Sequence, residues 1–303
     1  MIKLLITLIL TLSLDAKMTD YNIKPDDLHS DRYMDITILD SKELEFNNYK
    51  NIKFREISDL AYKDNTLYGL SDKANLFKFK IKIKSDKIKS LKLEKAVNLH
   101  NKEGHRLPKP DRDSEGLTFA GDKLLISFEK NPRVELFSLH GKEIVNISIN
   151  KKLRDIHNYV SHNKALEAVA YNKKHSVVTA PELPFDHGKY HTLYSKDRNW
   201  KFKKAGSITA LEFINKDKIL VLERDFNHFT RARKTVLSVI NLDKCKKKLC
   251  KKRVVALLTS GDDWNLDNFE GLTKVAPNRF LMISDDNESF FQKTLLVLFK
   301  LDI

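Results

Sequence analysis

Short apolar runs alternate with polar turns along nearly the whole chain, and one arrangement recurs five times. A short strand opens on an acidic or small residue. After a polar turn, a second apolar strand ends in an acid, and a third strand follows. The first copy reads Ser58-Asp59-Leu60-Ala61-Tyr62, then Thr66 to Asp72. The others open at Glu115, Glu167, Thr209 and Glu270, with second strands ending at Glu129, Glu182, Glu223 and Asp285. The mean spacing is about 53 residues, the length of one four-stranded blade. Third strands are predicted at Leu76–Phe79, Val134–Leu139, His191–Tyr194, Thr235–Ile240 and Thr294–Phe299, and fourth strands at Ile144–Ile149 and Arg253–Leu258. No run carries the period of a long amphipathic helix, and turns such as Lys63-Asp64-Asn65 separate the strands. The fold expected is all-β, a β-propeller of four-stranded blades. Five blades are counted and six is the alternative. Asp35–Leu39 and Glu43–Phe46 supply an N-terminal strand to close the ring against the last blade. A sandwich would not explain the regular acid-ended loops.

The N-terminus changes the picture of where the chain works. Lys3 followed by the apolar run Leu4–Leu14 has the layout of a secretory signal, and the run is too short to span a bilayer. Residues 1–16 are read as a signal peptide cut after Ala16, and 17–303 as a single domain, periplasmic or secreted. No transmembrane span is expected once the signal is removed, and a monomer is expected. Cys245 and Cys250 flank Lys246-Lys247-Lys248-Leu249 between two apolar runs. That places them across a hairpin turn, where an oxidising compartment favours a small-loop disulfide.

The net charge is +14, mostly lysine spread along the chain. The alternation Lys78-Phe79-Lys80-Ile81-Lys82-Ile83-Lys84 reads as the solvated face of an edge strand. The one dense basic run is Lys244–Arg253, and no nucleic-acid motif accompanies it, so no nucleic-acid partner is expected. A basic exterior does favour a small anionic substrate.

Candidate chemistry lies in the acids. Equivalent repeat positions come to one height around a propeller axis. Glu115, Glu167 and Glu270 open first strands. Asp72, Glu129, Glu182, Glu223 and Asp285 end second strands. Gathered carboxylates repel and need cations, either arginine or a metal, and an all-oxygen donor set suits calcium. Asp285-Asp286-Asn287-Glu288 is the densest cluster. Arg133 follows Glu129, Arg224 follows Glu223, and His105, His187 and His228 sit in nearby polar loops. The plain alternative is that each acid makes a structural bond to the next blade. The chain has no Gly-X-Ser-X-Gly elbow, phosphate-binding loop or zinc motif, and Ser127 and Ser284 read as hydrogen-bonding hydroxyls.

Six segments in order resemble the phytase-like family, described as "esterase-like activity of phytase". They are Asp113–Phe119 with Ile126–Glu129, Ala165–Ala170, Val221–Arg224, and Asn268–Leu272 with Ile283–Asn287. The resemblance runs from about Ile57 to the C-terminus. It implies an exported propeller that hydrolyses phosphate or other esters. It carries over to Glu115, Glu129, Glu167, Glu223, Arg224, Glu270, Asp285, Asp286 and Asn287. Ser58 and Thr209 depart from the opening glutamate, which leaves the acid ring incomplete. Two functions are therefore expected to compete. In one, calcium held by Asp72, Glu129, Glu182, Glu223, Asp285, Asp286 and Asn287 assists ester hydrolysis, with Glu115, Glu167, Glu270, Arg133 and Arg224 at the reacting centre. In the other, a non-catalytic propeller binds a ligand and its acids are structural.

Overall fold

The computed structural model describes residues 17–247 and 249–303; the expected leader, 1–16, lies outside them. The chain enters through β1 (Lys17–Asp20), β2 (Arg32–Tyr33) and β3 (Ile36–Glu45). Blade 1 is β4 (Ile57–Lys63), β5 (Thr66–Ser71), β6 (Asn75–Lys84) and β7 (Lys87–Asn98). Blade 2 is β8 (Ser114–Ala120), β9 (Lys123–Phe128), β10 (Arg133–Phe137) and β11 (Glu143–Ile147). Blade 3 is β12 (Leu166–Asn172), β13 (Ser176–Pro181), β14 (Tyr190–Tyr194) and β15 (Asn199–Lys203). Blade 4 is β16 (Ser207–Phe213), β17 (Lys218–Phe226), β18 (Arg233–Asn241) and β19 (Lys252–Thr259). Blade 5 is β20 (Asn268–Ala276), β21 (Arg279–Asp285) and β22 (Leu295–Leu301), and β3 pairs antiparallel with β22 as its fourth strand. Each blade is an antiparallel meander, and β4, β8, β12, β16 and β20 lie side by side around the axis. The expected five-bladed ring and its N-terminal closure are what the structure has.

The strands read as continuous apolar runs because both faces of each blade are covered. Five buried clusters separate five pairs of neighbouring blades. One joins Leu220 and Leu237 of blade 4 to Phe280 and Phe299 of blade 5. Another joins Phe77 of blade 1 to Leu281 and Leu298 of blade 5. A strand packed on both sides has no polar face, so the period-two signal fades.

The lysine-rich strand needs a correction. Lys78–Lys84 belongs to β6, the third strand of blade 1, and β7 is the true edge. The hairpin β6–β7 runs beyond the end of β5, whose last partner is Lys80. Past that point β6 has β7 on one side only, so Lys82 and Lys84 reach solvent while Ile81 stays buried. Cys245 and Cys250 are disulfide-bonded in the β18–β19 loop. No helix among the described residues is long and apolar enough to cross a membrane.

Candidate functional site

A local irregularity aims the first ring of residues. In every innermost strand the pairing with the second strand skips near the same position. The skip leaves out Ser58 in β4, Glu167 in β12, Thr209 in β16 and Glu270 in β20, and Glu115 with Gly116 in β8. Such a bulge releases one residue from the ladder and turns its side chain aside, here at one level of the axis. The glycine that follows Glu115 and Glu270 has a separate cause. A Cβ on Gly116 would lie 2.6 Å from the Val169 nitrogen, and one on Gly271 2.8 Å from the Asp59 Cα. The neighbouring innermost strand passes too close for a side chain.

The bulged glutamates meet the acids at the ends of the second strands. One carboxylate oxygen each from Glu129, Glu167 and Glu182 lie within 4.8 Å of one another, and all three residues are buried. Asp113, Glu115 and Glu129 form a second such group, so Glu129 joins the two. Lys164 reaches Glu182 at 3.1 Å and Lys130 reaches Asp113 at 2.9 Å. Among the described residues no salt bridge reaches Glu115, Glu129, Glu167 or Asp285. Burial therefore dominates. It pushes Glu129 up to about 8, helped by Asp113 and Glu182 and opposed by the Ala165 N–H. It also raises Glu167 and Glu115 well above the usual carboxylate range, and their acidic neighbours add to the shift.

On the other side of the mouth, Arg224 bridges blades 4 and 5. It pairs with Glu270 at 3.0 Å and donates from Nη1 to Asn268 at 2.6 Å, while Asn268 donates to Glu270 at 2.7 Å. Burial disfavours its charge, yet Glu270, Glu182, Glu167 and Asp285 hold the guanidinium firmly protonated. Its Nε is buried without a hydrogen-bond partner among the described residues. Asp285 is pushed up to about 9 by burial and by Glu270, and Asp72 to about 6 by burial and Glu56 against the pull of Lys73. Asp285 accepts from the Asn287 N–H, and Asp286 accepts from Glu56 N–H of blade 1.

Three expected residues are placed otherwise. Arg133 spends its guanidinium on Glu135 at 2.8 Å and on the Asp111 carbonyl at 2.9 Å, with Phe128 beneath it, so it holds a blade-2 loop. Glu223 is fully buried, paired with Lys252 at 2.8 Å and accepting from the Ala205 N–H. Asn287 is exposed. Ser127 donates to the Glu167 carbonyl and accepts from Gly116 N–H, and Ser284 donates to the Lys293 carbonyl.

Beside the acids a cavity of about 430 Å³ opens between blades 3, 4 and 5, and Glu182 and Arg224 form part of its wall. Lys164, His228, Arg233 and Lys234 give it a basic rim, with Asp267 and Asn268 beneath. The sequence reading missed Lys164, Asp113 and Asp267, which lie in connections between strands, and Arg233, the first residue of β18. It also missed Asp59, whose buried carboxylate accepts N–H bonds from Leu60, Leu117 and Leu272 and so ties blades 1, 2 and 5 together at the axis.

A family model described as "Phytase-like: Esterase-like activity of phytase" covers residues 52–288. The chain belongs to the phytase-like family. Residues 52–288 of this phytase-like propeller hold all five innermost strands and every acid of the mouth. No curated protein matches the sequence. Among solved structures, the PQQ-bound aldose sugar dehydrogenase of Streptomyces coelicolor is similar at 6% identity and a TM-score of 0.44, covering 95% of this chain and 98% of that one. A nidogen/laminin complex matches at 13% identity and a TM-score of 0.42, covering 73% and 70%. A mitotic checkpoint complex matches at 11% and 0.39, covering 86% and 68%. Likenesses this distant say nothing of activity.

Proposed function

We propose that this phytase-like propeller is an exported, calcium-assisted hydrolase of small anionic esters, phosphate esters first. The single observation that carries the reading is a shared wall: Glu182 of the gathered carboxylates and Arg224, which pairs with Glu270, both line the basic-rimmed cavity. A substrate in that cavity lies between groups that grip an anion and groups that hold a cation.

The donor set fits calcium. Oxygens on opposite sides of a calcium ion lie roughly 4.6–5.2 Å apart. Glu129, Glu167 and Glu182 present oxygens within 4.8 Å of one another, and among the described residues no salt bridge reaches Glu129 or Glu167. These three would hold the ion, with Asp113 and Glu115 adjoining through Glu129. When bound, calcium would neutralise the carboxylates and polarise an ester oxygen or a water. Arg224, which lines the cavity and keeps about a third of its side chain exposed, would orient the substrate anion through the open part of its guanidinium, while Glu270 and Asn268 fix the guanidinium plane. Lys164, Arg233 and Lys234 would draw the anion to the rim.

A hydrolysis panel of phosphate and carboxylate esters, run with calcium or with chelator, tests the reading. Calcium-dependent turnover that is lost in folded Glu167→Gln and Glu270→Gln proteins is expected. The competing reading is a non-catalytic binding propeller. The blade-to-blade clamps favour it: Glu129 on Ala165 N–H, Asp286 on Glu56 N–H, and Arg224 on Glu270. No turnover on any ester, with unfolding of Glu270→Gln, would establish that alternative.

A further inference from the structure

Three phenylalanines stand almost wholly in solvent: Phe229 is 99% exposed, Phe290 97% and Phe291 90%. No other large apolar side chain among the described residues exceeds 47%. The three are not scattered. Phe229 lies in the β17–β18 connection, and Phe290 and Phe291 lie in the β21–β22 connection. Both connections close on Asp267, through Arg233 at 3.7 Å and Gln292 at 3.2 Å. Both also line the cavity described above, through Phe226, His228 and Arg233 on one side and Asn287 and Gln292 on the other. The aromatic tips therefore flank one mouth of the propeller.

Exposed aromatics so grouped signal a surface that meets something apolar. The charge beside them says what kind. Residues 227–234 carry Arg231, Arg233 and Lys234 and no acid; Lys234 pairs with Asp225 at 2.8 Å and Arg233 with Asp267 at 3.7 Å, which leaves Arg231 as the uncompensated cation of the tip. Arg231 makes no salt bridge among the described residues. Lys164 lies on the same rim. The second connection carries Asp286 and Glu288, but Asp286 is turned inward to the Glu56 N–H, and Lys293 follows the two phenylalanines. The whole chain is +14. Aromatic tips backed by arginine and lysine fit the boundary between acyl chains and acidic headgroups. A folded protein partner would need a broad surface, whereas two narrow loops with three isolated tips suit a fluid one.

We propose that these two connections seat the propeller's mouth on an anionic lipid bilayer. Phe229, Phe290 and Phe291 enter the acyl boundary, and Arg231, Arg233 and Lys234 rest among the headgroups. The cavity then opens at the headgroup layer. The inference stands on the loops and not on the hydrolase reading.

Co-sedimentation of the full chain with vesicles tests it. Phosphatidylcholine mixed with phosphatidylglycerol should bind the protein, and pure phosphatidylcholine should bind it far less. Replacing all three phenylalanines by alanine should weaken binding on the order of a hundredfold, because the inserted apolar area is lost. The same variant should keep its thermal melt, since none of the three packs in the core. A Phe290→Trp variant gives a second measure. Trp200 and Trp264 are buried, at 6% and 3% exposure, so quenching by brominated lipid reports the new side chain alone. Expected are a blue shift and quenching on mixed vesicles. Undiminished binding of the three-alanine variant would mean adsorption by surface charge only and would overturn the proposal. So would failure to bind mixed vesicles, or a solution mass that halves in that variant, which would assign the tips to a second copy of this chain.

Discussion

Replacing Glu167 by glutamine tests what the gathered carboxylates are for. Glu167 is 6% exposed, has no ion-pair partner among the described residues, and lies within 4.8 Å of Glu129 and Glu182. At that separation each ionised neighbour repels it by about 3 kcal/mol for an effective dielectric near 20. Protonation relieves part of this. Glu129 sits at about 8 in the folded chain against an ordinary 4.5, so ionising it there costs about 5 kcal/mol more than in water as an upper bound. The sign follows. Between about pH 4.5 and 8 the folded protein binds more protons than the unfolded chain. Stability is therefore greatest at the acid end of that window and falls as pH rises through it. Glu167→Gln removes one charge from the group, so in chelator at pH 9 it should melt about 2–6 °C above the parent, for 1–3 kcal/mol of relieved repulsion. At pH 5 the two should melt nearly together. Calcium should raise the parent's melting temperature at pH 8 more than at pH 5, because there the ion displaces fewer protons. It should raise the variant's far less at either pH. Thermal melts by circular dichroism across this grid suffice. A variant that melts below the parent at pH 9 in chelator would refute the reasoning, since the carboxylate would then be a stabilising partner.

Other perturbations probe the frame around the site. Gly271→Ala forces a Cβ to within 2.8 Å of the Asp59 Cα and must part blades 5 and 1, for a loss of about 2–3 kcal/mol, while Gly261→Ala, whose Cβ meets only Thr259 Oγ1 at 3.5 Å, should melt like the parent. Opening the disulfide with Cys245→Ser and Cys250→Ser should cost only about 1–2 kcal/mol in a urea titration, because the closed loop is short. Deleting residues 17–45 removes β3 and bares the edge of β22, whose Leu295–Phe299 stretch is wholly buried in the intact ring. The truncated protein should aggregate, which size-exclusion chromatography would show, and a soluble monomer would contradict the strand's closing role.

Much of the ring was legible because each blade repeats one solution to the same burial problem. Copies opening at Ser58, Glu115, Glu167, Thr209 and Glu270 coincide with the bulged positions of the five innermost strands. Third strands were placed to within a few residues. The fourth strands of blades 1 and 3, β7 and β15, escaped notice because outer strands bury less and alternate in lysine, as in Lys87–Asn98. Residues that contribute through the loops, such as Lys164 and Asp267, carry no periodic mark at all.

The sequence by itself determined the repeating blade, the closing strand and the acids at repeat-equivalent positions, since strand length, apolar content and turn residues are local properties, while the choice of five blades over six waited for the closed ring. Which acids share space was decided only by the closed ring. Glu129 and Glu182 stand a blade apart along the chain yet meet Glu167 at the mouth, while Glu223, equivalent to them in the repeat, is drawn aside by Lys252 and the Ala205 N–H. Arg133 and Arg224 look alike as strand-end arginines. One finds Glu135 on its own strand, and the other finds Glu270 on the next blade. A side chain's partners depend on distances between segments far apart in sequence, and those distances exist only once the blades have packed.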